Sequence, residues 1–141
     1  MAFFKEGLWV IILFRIMNMI SNTPLETQAF DAQAQLLKVL THPARLAILN
    51  ILRDGEQCVC HMEAHLGYRQ SYISQQLMVL REAGLVADRR DGWNVFYHVT
   101  EPGVFAVLAA VEEILGIAPG QGHRPAVACP CPKCNAGQGG R

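Results

Sequence analysis

Leu85-Val86-Ala87-Asp88-Arg89-Arg90-Asp91-Gly92-Trp93-Asn94-Val95-Phe96-Tyr97-His98-Val99-Thr100 is where the chain stops reading as helix. Residues 86–90 and 93–99 are β-rich runs, and the Asp91-Gly92 dipeptide between them is a strong hairpin signal. Everything upstream has helical period. Residues 26–40 carry Phe30, Leu36, Leu37 and Leu40 near one face, with Gln28, Gln33 and Gln35 elsewhere. Thr41-His42-Pro43 then supplies a cap and a first-turn proline. Residues 43–53 hold Leu46, Ile48, Leu49, Ile51 and Leu52, apolar nearly all round, as a buried helix is. Asp54-Gly55 stops it. A short helix over residues 58–66 turns Val59, Met62 and Leu66 inward, and Gly67-Tyr68-Arg69-Gln70 makes a turn. Ser71 has the character of an N-cap for a helix to about residue 83, with Ile73, Leu77 and Leu80 as its stripe.

Beyond the hairpin, a last helix starts near Pro102 and bears Val104, Val107, Leu108, Val111, Ile114 and Leu115. A helix-turn-helix followed by a two-stranded hairpin predicts a mainly α fold with a β-hairpin wing, a winged helix. The first and last helices carry more apolar surface than so small a core covers. The expected state is therefore a homodimer with those helices at the seam. Residues 25–117 form the expected domain, and residues 118–141, rich in Gly and Pro, a flexible tail. Residues 1–24 are an extension whose apolar run, Gly7 to Phe14, is too short to span a bilayer, which takes about 20 residues. An extra packing helix, or a true start at Met17 or Met19, accounts for it; no membrane partner is expected.

The composition is globular: 51% apolar, 17% charged, formal net charge zero. Neutrality counts mildly against a nucleic-acid binder, yet local distribution governs a groove contact more than the sum does. The second helix of a helix-turn-helix lies in the major groove. Its polar residues here are Gln70, Ser71, Tyr72, Ser74, Gln75 and Gln76, with Arg81 further along. Glutamine pairs bidentately with adenine, and serine and tyrosine reach phosphates or base edges. Arg89 and Arg90 lie toward the wing tip, within reach of the backbone or an adjacent minor groove. The expected partner is double-stranded operator DNA.

Five cysteines fall in two groups: Cys58 and Cys60, then Cys129, Cys131 and Cys134. An odd number at Cys-X-Cys and Cys-X-X-Cys spacing is a poor disulfide framework and fits thiols or metal ligands in a cytoplasmic protein. Cys58-Val59-Cys60-His61 sits immediately before the DNA-reading unit. Two residues apart on a regular helix point to different sides, so one ion held by both thiols requires an irregular or unwound helix start. His61 is a further candidate ligand, and His65 reads as a surface histidine. Thirteen positions separate Gly116 from Cys129. A flexible linker of that length spans about 20 Å, so the tail thiols can complete the site on their own subunit or its partner.

Residues 40–99 resemble the ArsR/SmtB family of bacterial metal-responsive repressors. The stretches that carry the likeness are Leu40-Thr41-His42-Pro43-Ala44-Arg45-Leu46-Ala47-Ile48-Leu49, Cys58-Val59-Cys60-His61, Ser71-Tyr72-Ile73-Ser74-Gln75-Gln76-Leu77 and Val79-Leu80-Arg81-Glu82-Ala83-Gly84-Leu85-Val86. The resemblance implies a homodimeric repressor that leaves its operator on binding metal, and no enzymatic activity. It also implies that Cys58 and Cys60 match metal-ligand positions of arsenic- and cadmium-type members. A further family site, of acidic and histidine ligands on the last helix, is broken here: that helix offers Glu101, Glu112 and Glu113 but no histidine. The expected inducer is a thiophilic ion, As(III) or Sb(III), Cd(II), Pb(II) or Zn(II), held by Cys58, Cys60, Cys129, Cys131, Cys134 and His61. The alternatives are a redox-, persulfide- or haem-responsive repressor of the same fold and, remotely, a thiol oxidoreductase using Cys131 and Cys134, which no thioredoxin-like βαβ pattern surrounds.

Overall fold

The computed structural model describes residues 25–119 and residue 129. The expectations for residues 1–24 and for Cys131 and Cys134 lie outside them. The chain divides into two compact units, Met1–Gln35 and Leu36–Arg141. The described part of the first is helical, the opening turns of α1 (Leu25–Leu40).

The second unit holds the end of α1, then α2 (Pro43–Leu52), β1 (Gln57–Cys58), α3 (Val59–Leu66), α4 (Gln70–Glu82), β2 (Val86–Asp91), β3 (Asn94–Val99) and α5 (Gly103–Leu115). His42 caps α2: the Ala44 N–H donates to its Nδ1 at 3.3 Å, and Pro43 takes the first turn. Ile48, Leu49, Met62, Ile73, Leu77, Leu80 and Val86 are the largest fully buried side chains. They come from α2, α3, α4 and β2, so one core holds the helix-turn-helix to the sheet. Burying each such side chain contributes about 1.5–3 kcal/mol. Helix α4 begins at Gln70 with Arg69 in the cap position and no side-chain cap bond, so Ser71 is a helical residue and not the N-cap that its type suggests. The helix closes through Gly84, whose φ of +76° lets the Leu85 N–H reach the Leu80 carbonyl at 3.0 Å.

Two features of the sheet differ from the sequence reading. The sheet has three strands in the order β1-β3-β2, because Gln57 and Cys58 pair antiparallel with Tyr97 and Phe96. A two-residue strand has no period to detect. The hairpin register also pairs Asp91 with Asn94, so the loop is Gly92-Trp93 and not Asp91-Gly92. Gly92 has φ +61°, and no non-glycine residue among those described has positive φ. Glycine at the first loop position with an ordinary φ at the second is the II′ pattern, whose twist suits a hairpin. Trp93, expected in a strand, becomes the apex.

Helix α5 is attached by its first half. Val104 is buried, Phe105, Val107 and Leu108 pack on the core, and Arg53 lies 5.6 Å over the Phe105 ring and 3.5 Å from Glu112. Val111, Ile114, Leu115 and Ile117 are exposed, as are Leu36 and Leu37 of α1. No helix among the described residues is long and apolar enough to cross a membrane.

Candidate functional site

Cys58 is the last residue of β1 and the N-cap of α3, with extended backbone at φ −85° and ψ 162°. Its Sγ accepts from the His61 N–H at 3.4 Å, the bond a serine oxygen makes in an ordinary cap. This corrects the expectation of a strained or unwound helix. Cys58 stands before the helix and Cys60 in its first turn, so the two sulfurs converge across the strand-to-helix corner with the helix intact. Cys129, from the tail, brings the third sulfur. The Sγ atoms of Cys58, Cys60 and Cys129 all lie within 4.8 Å of one another. Cys58 and Cys129 are 3% and 4% exposed and Cys60 is half-buried, and Phe96 of β3 packs against the cluster.

His61 is not a member of that trio. Its ring lies 4.2 Å, centroid to centroid, from the ring of His65, tilted by 39°. His65 is buried and not the surface residue its type suggests. It follows Met62 by three positions and so shares that residue's inward face.

A short path leads from the sulfurs to the wing. Phe96 is the register partner of both Cys58 and Arg89. The Arg89 guanidinium lies 5.2 Å over the Phe96 ring, and its Nε donates to Glu56 Oε1 at 2.7 Å. That hydrogen bond, opposed by desolvation and helped by the charge of Arg89, holds the Glu56 carboxyl below its ordinary value of 4.5 and raises the arginine. Glu56 is two residues before Cys58. Nothing in the sequence marked it, since its partner is 33 positions away.

On α4, Gln70, Ser71, Ser74 and Gln75 are exposed, while Tyr72 and Gln76 are half-buried. The Tyr72 hydroxyl lies 3.5 Å from His42 Nε2, and its ring meets Tyr68 edge-on at 5.2 Å. Arg81 is exposed and pairs with Asp88 of β2 at 3.0 Å. Arg90 is exposed at the wing. A cleft of about 250 Å³ between α4 and β3 is lined by Ser74, Gln75, Leu77, Met78, Arg81 and Tyr97, so the wing leans on the helix beside it.

Comparison with known proteins gives this arrangement its context. The family model for bacterial regulatory proteins of the arsR family matches residues 42–88. A biofilm growth-associated repressor of Agrobacterium fabrum is 39% identical over 117 residues, which are 69% of this chain and 100% of that protein. The crystal structure of the transcriptional repressor BigR from Xylella fastidiosa is 40% identical with a TM-score of 0.58, covering 64% of this chain and 91% of that one. The solution structure of the homodimeric winged helix-turn-helix domain of Mb0332 from Mycobacterium bovis is 27% identical with a TM-score of 0.59, over 68% and 89% of the two chains. A relative matched along its whole length and a family model spanning the helix-turn-helix place the chain in the arsR family: it is a winged-helix transcriptional repressor and not an enzyme.

Proposed function

We propose that this repressor works in the cytoplasm as a homodimer that holds operator DNA and releases it when a thiophilic ion binds Cys58, Cys60 and Cys129. The observation that carries the reading is the sulfur trio within 4.8 Å. Three sulfurs about 2.3 Å from a common ion stand roughly 4 Å apart, so the cluster closes by less than an ångström. Thiolates without carboxylate or imidazole select soft ions, which favours As(III), Sb(III), Pb(II) or Cd(II), with Zn(II) taking a fourth donor. Cys131 and Cys134 are the nearest such donors in the sequence, and His61 is a weaker one because its ring is directed to His65. The DNA-reading surface is Gln70, Ser71, Tyr72, Ser74, Gln75, Gln76 and Arg81 of α4, with Arg89 and Arg90 of the wing. The seam uses the exposed apolar faces of α5 and α1, in line with the homodimeric relative from Mycobacterium bovis.

The test is a titration of the metal-free full-length chain with Cd(II) and, separately, arsenite. A thiolate charge-transfer band saturating at one ion per subunit, with parallel loss of DNA binding, is expected. If neither ion nor Pb(II) weakens DNA binding, the reading fails.

Closing of the sulfurs is coupled to the DNA-reading surface by two routes. Helix α3 moves α4 through the buried cluster that Met62 shares with Ile73 and Leu77. Strand β1 moves the wing through Phe96 and the Glu56–Arg89 pair. Glu56→Gln weakens the second route only. It is expected to change the affinity of the ion-free repressor little and to shrink the ion-induced drop by about threefold, since coupling energies of this kind are worth about 1–3 kcal/mol in total. Because the Glu56 carboxyl titrates below its ordinary value, the pair contributes fully above pH 4.5 and is lost only as pH falls through the lowered value. The drop measured by anisotropy at pH 6 and at pH 8 should therefore carry the same Glu56 contribution.

A second reading is favoured by the burial of Cys58 and Cys129 against each other. Peroxide would join their sulfurs in a disulfide: two thiols give up two protons and two electrons, and peroxide is reduced to water. Loss of DNA binding with peroxide, reversed by a dithiol and unaffected by ions, would support it.

A further inference from the structure

His42 uses its two ring nitrogens for different tasks. Nδ1 accepts from the Ala44 N–H at 3.3 Å and so caps α2. An imidazole nitrogen that accepts carries no proton, so in the neutral ring the proton sits on Nε2 and that nitrogen donates. The group in front of it is the Tyr72 hydroxyl, 3.5 Å away, at the outer limit of a hydrogen bond. A residue at the head of α2 thus faces one in the first turn of α4, 30 positions along the chain.

This contact gives the hydroxyl a direction. Tyr72 is half-buried, and its ring is held edge-on by Tyr68 at 5.2 Å. A phenol oxygen both donates and accepts. With His42 donating to that oxygen, the hydroxyl's own proton is left for an acceptor outside the subunit. The backbone donors that open α2 are already taken. The Arg45 and Leu46 N–H groups donate to the His42 carbonyl at 3.0 and 3.2 Å, and Pro43 has no N–H. The positive end of α2 therefore reaches its surroundings through the His42 ring and the hydroxyl beyond it, a chain in which each bond polarises the next.

We propose that His42 is a positioning residue for DNA binding: it holds the Tyr72 hydroxyl as a donor to a backbone phosphate oxygen of the operator. A phosphate oxygen only accepts, so a hydroxyl whose proton is kept free suits it, and the charge strengthens the bond. Tyr72 lies on the side of α4 toward α2, half-buried, whereas Ser71, Ser74 and Gln75 are exposed and remain for base edges. The contact therefore adds affinity and sets the register of α4 on the duplex, without discriminating between sequences. The inference rests on the DNA-binding reading above and is independent of what the thiols sense.

The probe is a duplex selected from a random pool by the wild-type full-length chain, with a second duplex altered at one base pair. Tyr72→Phe removes only the hydroxyl and is expected to weaken binding about tenfold on both, as loss of a hydrogen bond to a charged group does. His42→Asn keeps a capping side chain but falls short of Tyr72. It should lose nearly as much, and the double variant no more than Tyr72→Phe alone. The dependence on salt should keep its wild-type slope, since a neutral donor releases no counterion, whereas a displaced α4 would lower it. Neutral methylphosphonate placed at single phosphates should find one position that weakens the wild type and leaves Tyr72→Phe unchanged. Nitrogen NMR of the wild-type imidazole should show the proton on Nε2, which tests the arrangement even if His42→Asn does not fold. Additive losses overturn the proposal, as do the opposite tautomer, a salt slope that falls with affinity, and wild-type binding by either single variant. A Tyr72→Phe loss confined to the selected duplex also overturns it, since the hydroxyl would then read a base. Failure of the wild-type chain to select any duplex would instead defeat the DNA-binding reading itself.

Discussion

Cys58→Ser is expected to abolish the ion response while leaving a folded repressor that binds its operator within about threefold of wild type. The substitution is unusually clean because of where the residue sits. Cys58 is the N-cap of α3, and its sulfur accepts from the His61 N–H. Serine is among the best N-cap residues, so the helix keeps or improves its start, whereas alanine would cost about 1 kcal/mol. The serine hydroxyl is a poor ligand for a soft ion, and two sulfurs remain of three. The charge-transfer band on Cd(II) titration should vanish, and operator affinity should no longer fall with ion. A wild-type response from Cys58→Ser, with α3 intact by circular dichroism, would remove Cys58 from the site.

Ile114→Asp is expected to dissociate the dimer and reduce operator affinity by about a hundredfold or more. Ile114 is 82% exposed on the outer half of α5, flanked by exposed Val111 and Leu115. An aspartate there leaves the subunit core untouched, since that half of the helix buries nothing in it. In the seam it places an unpaired carboxylate among apolar side chains. Two linked reading heads gain about 10²–10⁴ over one, and half-sites one turn apart need both. Analytical ultracentrifugation and anisotropy on the same samples check it. A dimer that persists in Ile114→Asp moves the seam off α5.

The helices and the hairpin were legible because their apolar residues repeat over many positions. The stripe Ile73, Leu77 and Leu80 needs no tertiary information to be read, and all three are buried. What the sequence concealed is short or depends on distant partners. Strand β1 has two residues and exists because Tyr97 and Phe96 are there to pair with. Ser71 looked like a cap, but helix α4 starts one residue before it, set by the turn from Gly67. The hairpin loop moved one place, which sent Trp93 from a strand to the apex. At the thiol site, residue type and spacing singled out Cys58 and Cys60 and offered Cys129, Cys131 and Cys134 to complete them. The burial of Cys129 beside them depended on where the tail returns, and the helix strain inferred from the spacing disappears once Cys58 is seen to precede the helix.

The three sulfurs differ in what else they do for the molecule. Cys58 caps a helix and ends a strand, and Cys60 lies in the first turn of that helix, so the fold itself sets where both stand. Cys129 belongs to a segment outside the helix-turn-helix and the wing. A substitution at Cys129 would remove the third sulfur and leave both thiols of the strand-to-helix corner in place. Under the proposed function, the choice of ion and the choice of promoter therefore rest on different segments and would be free to drift separately over evolutionary time, as a fixed switch fitted with an interchangeable third contact.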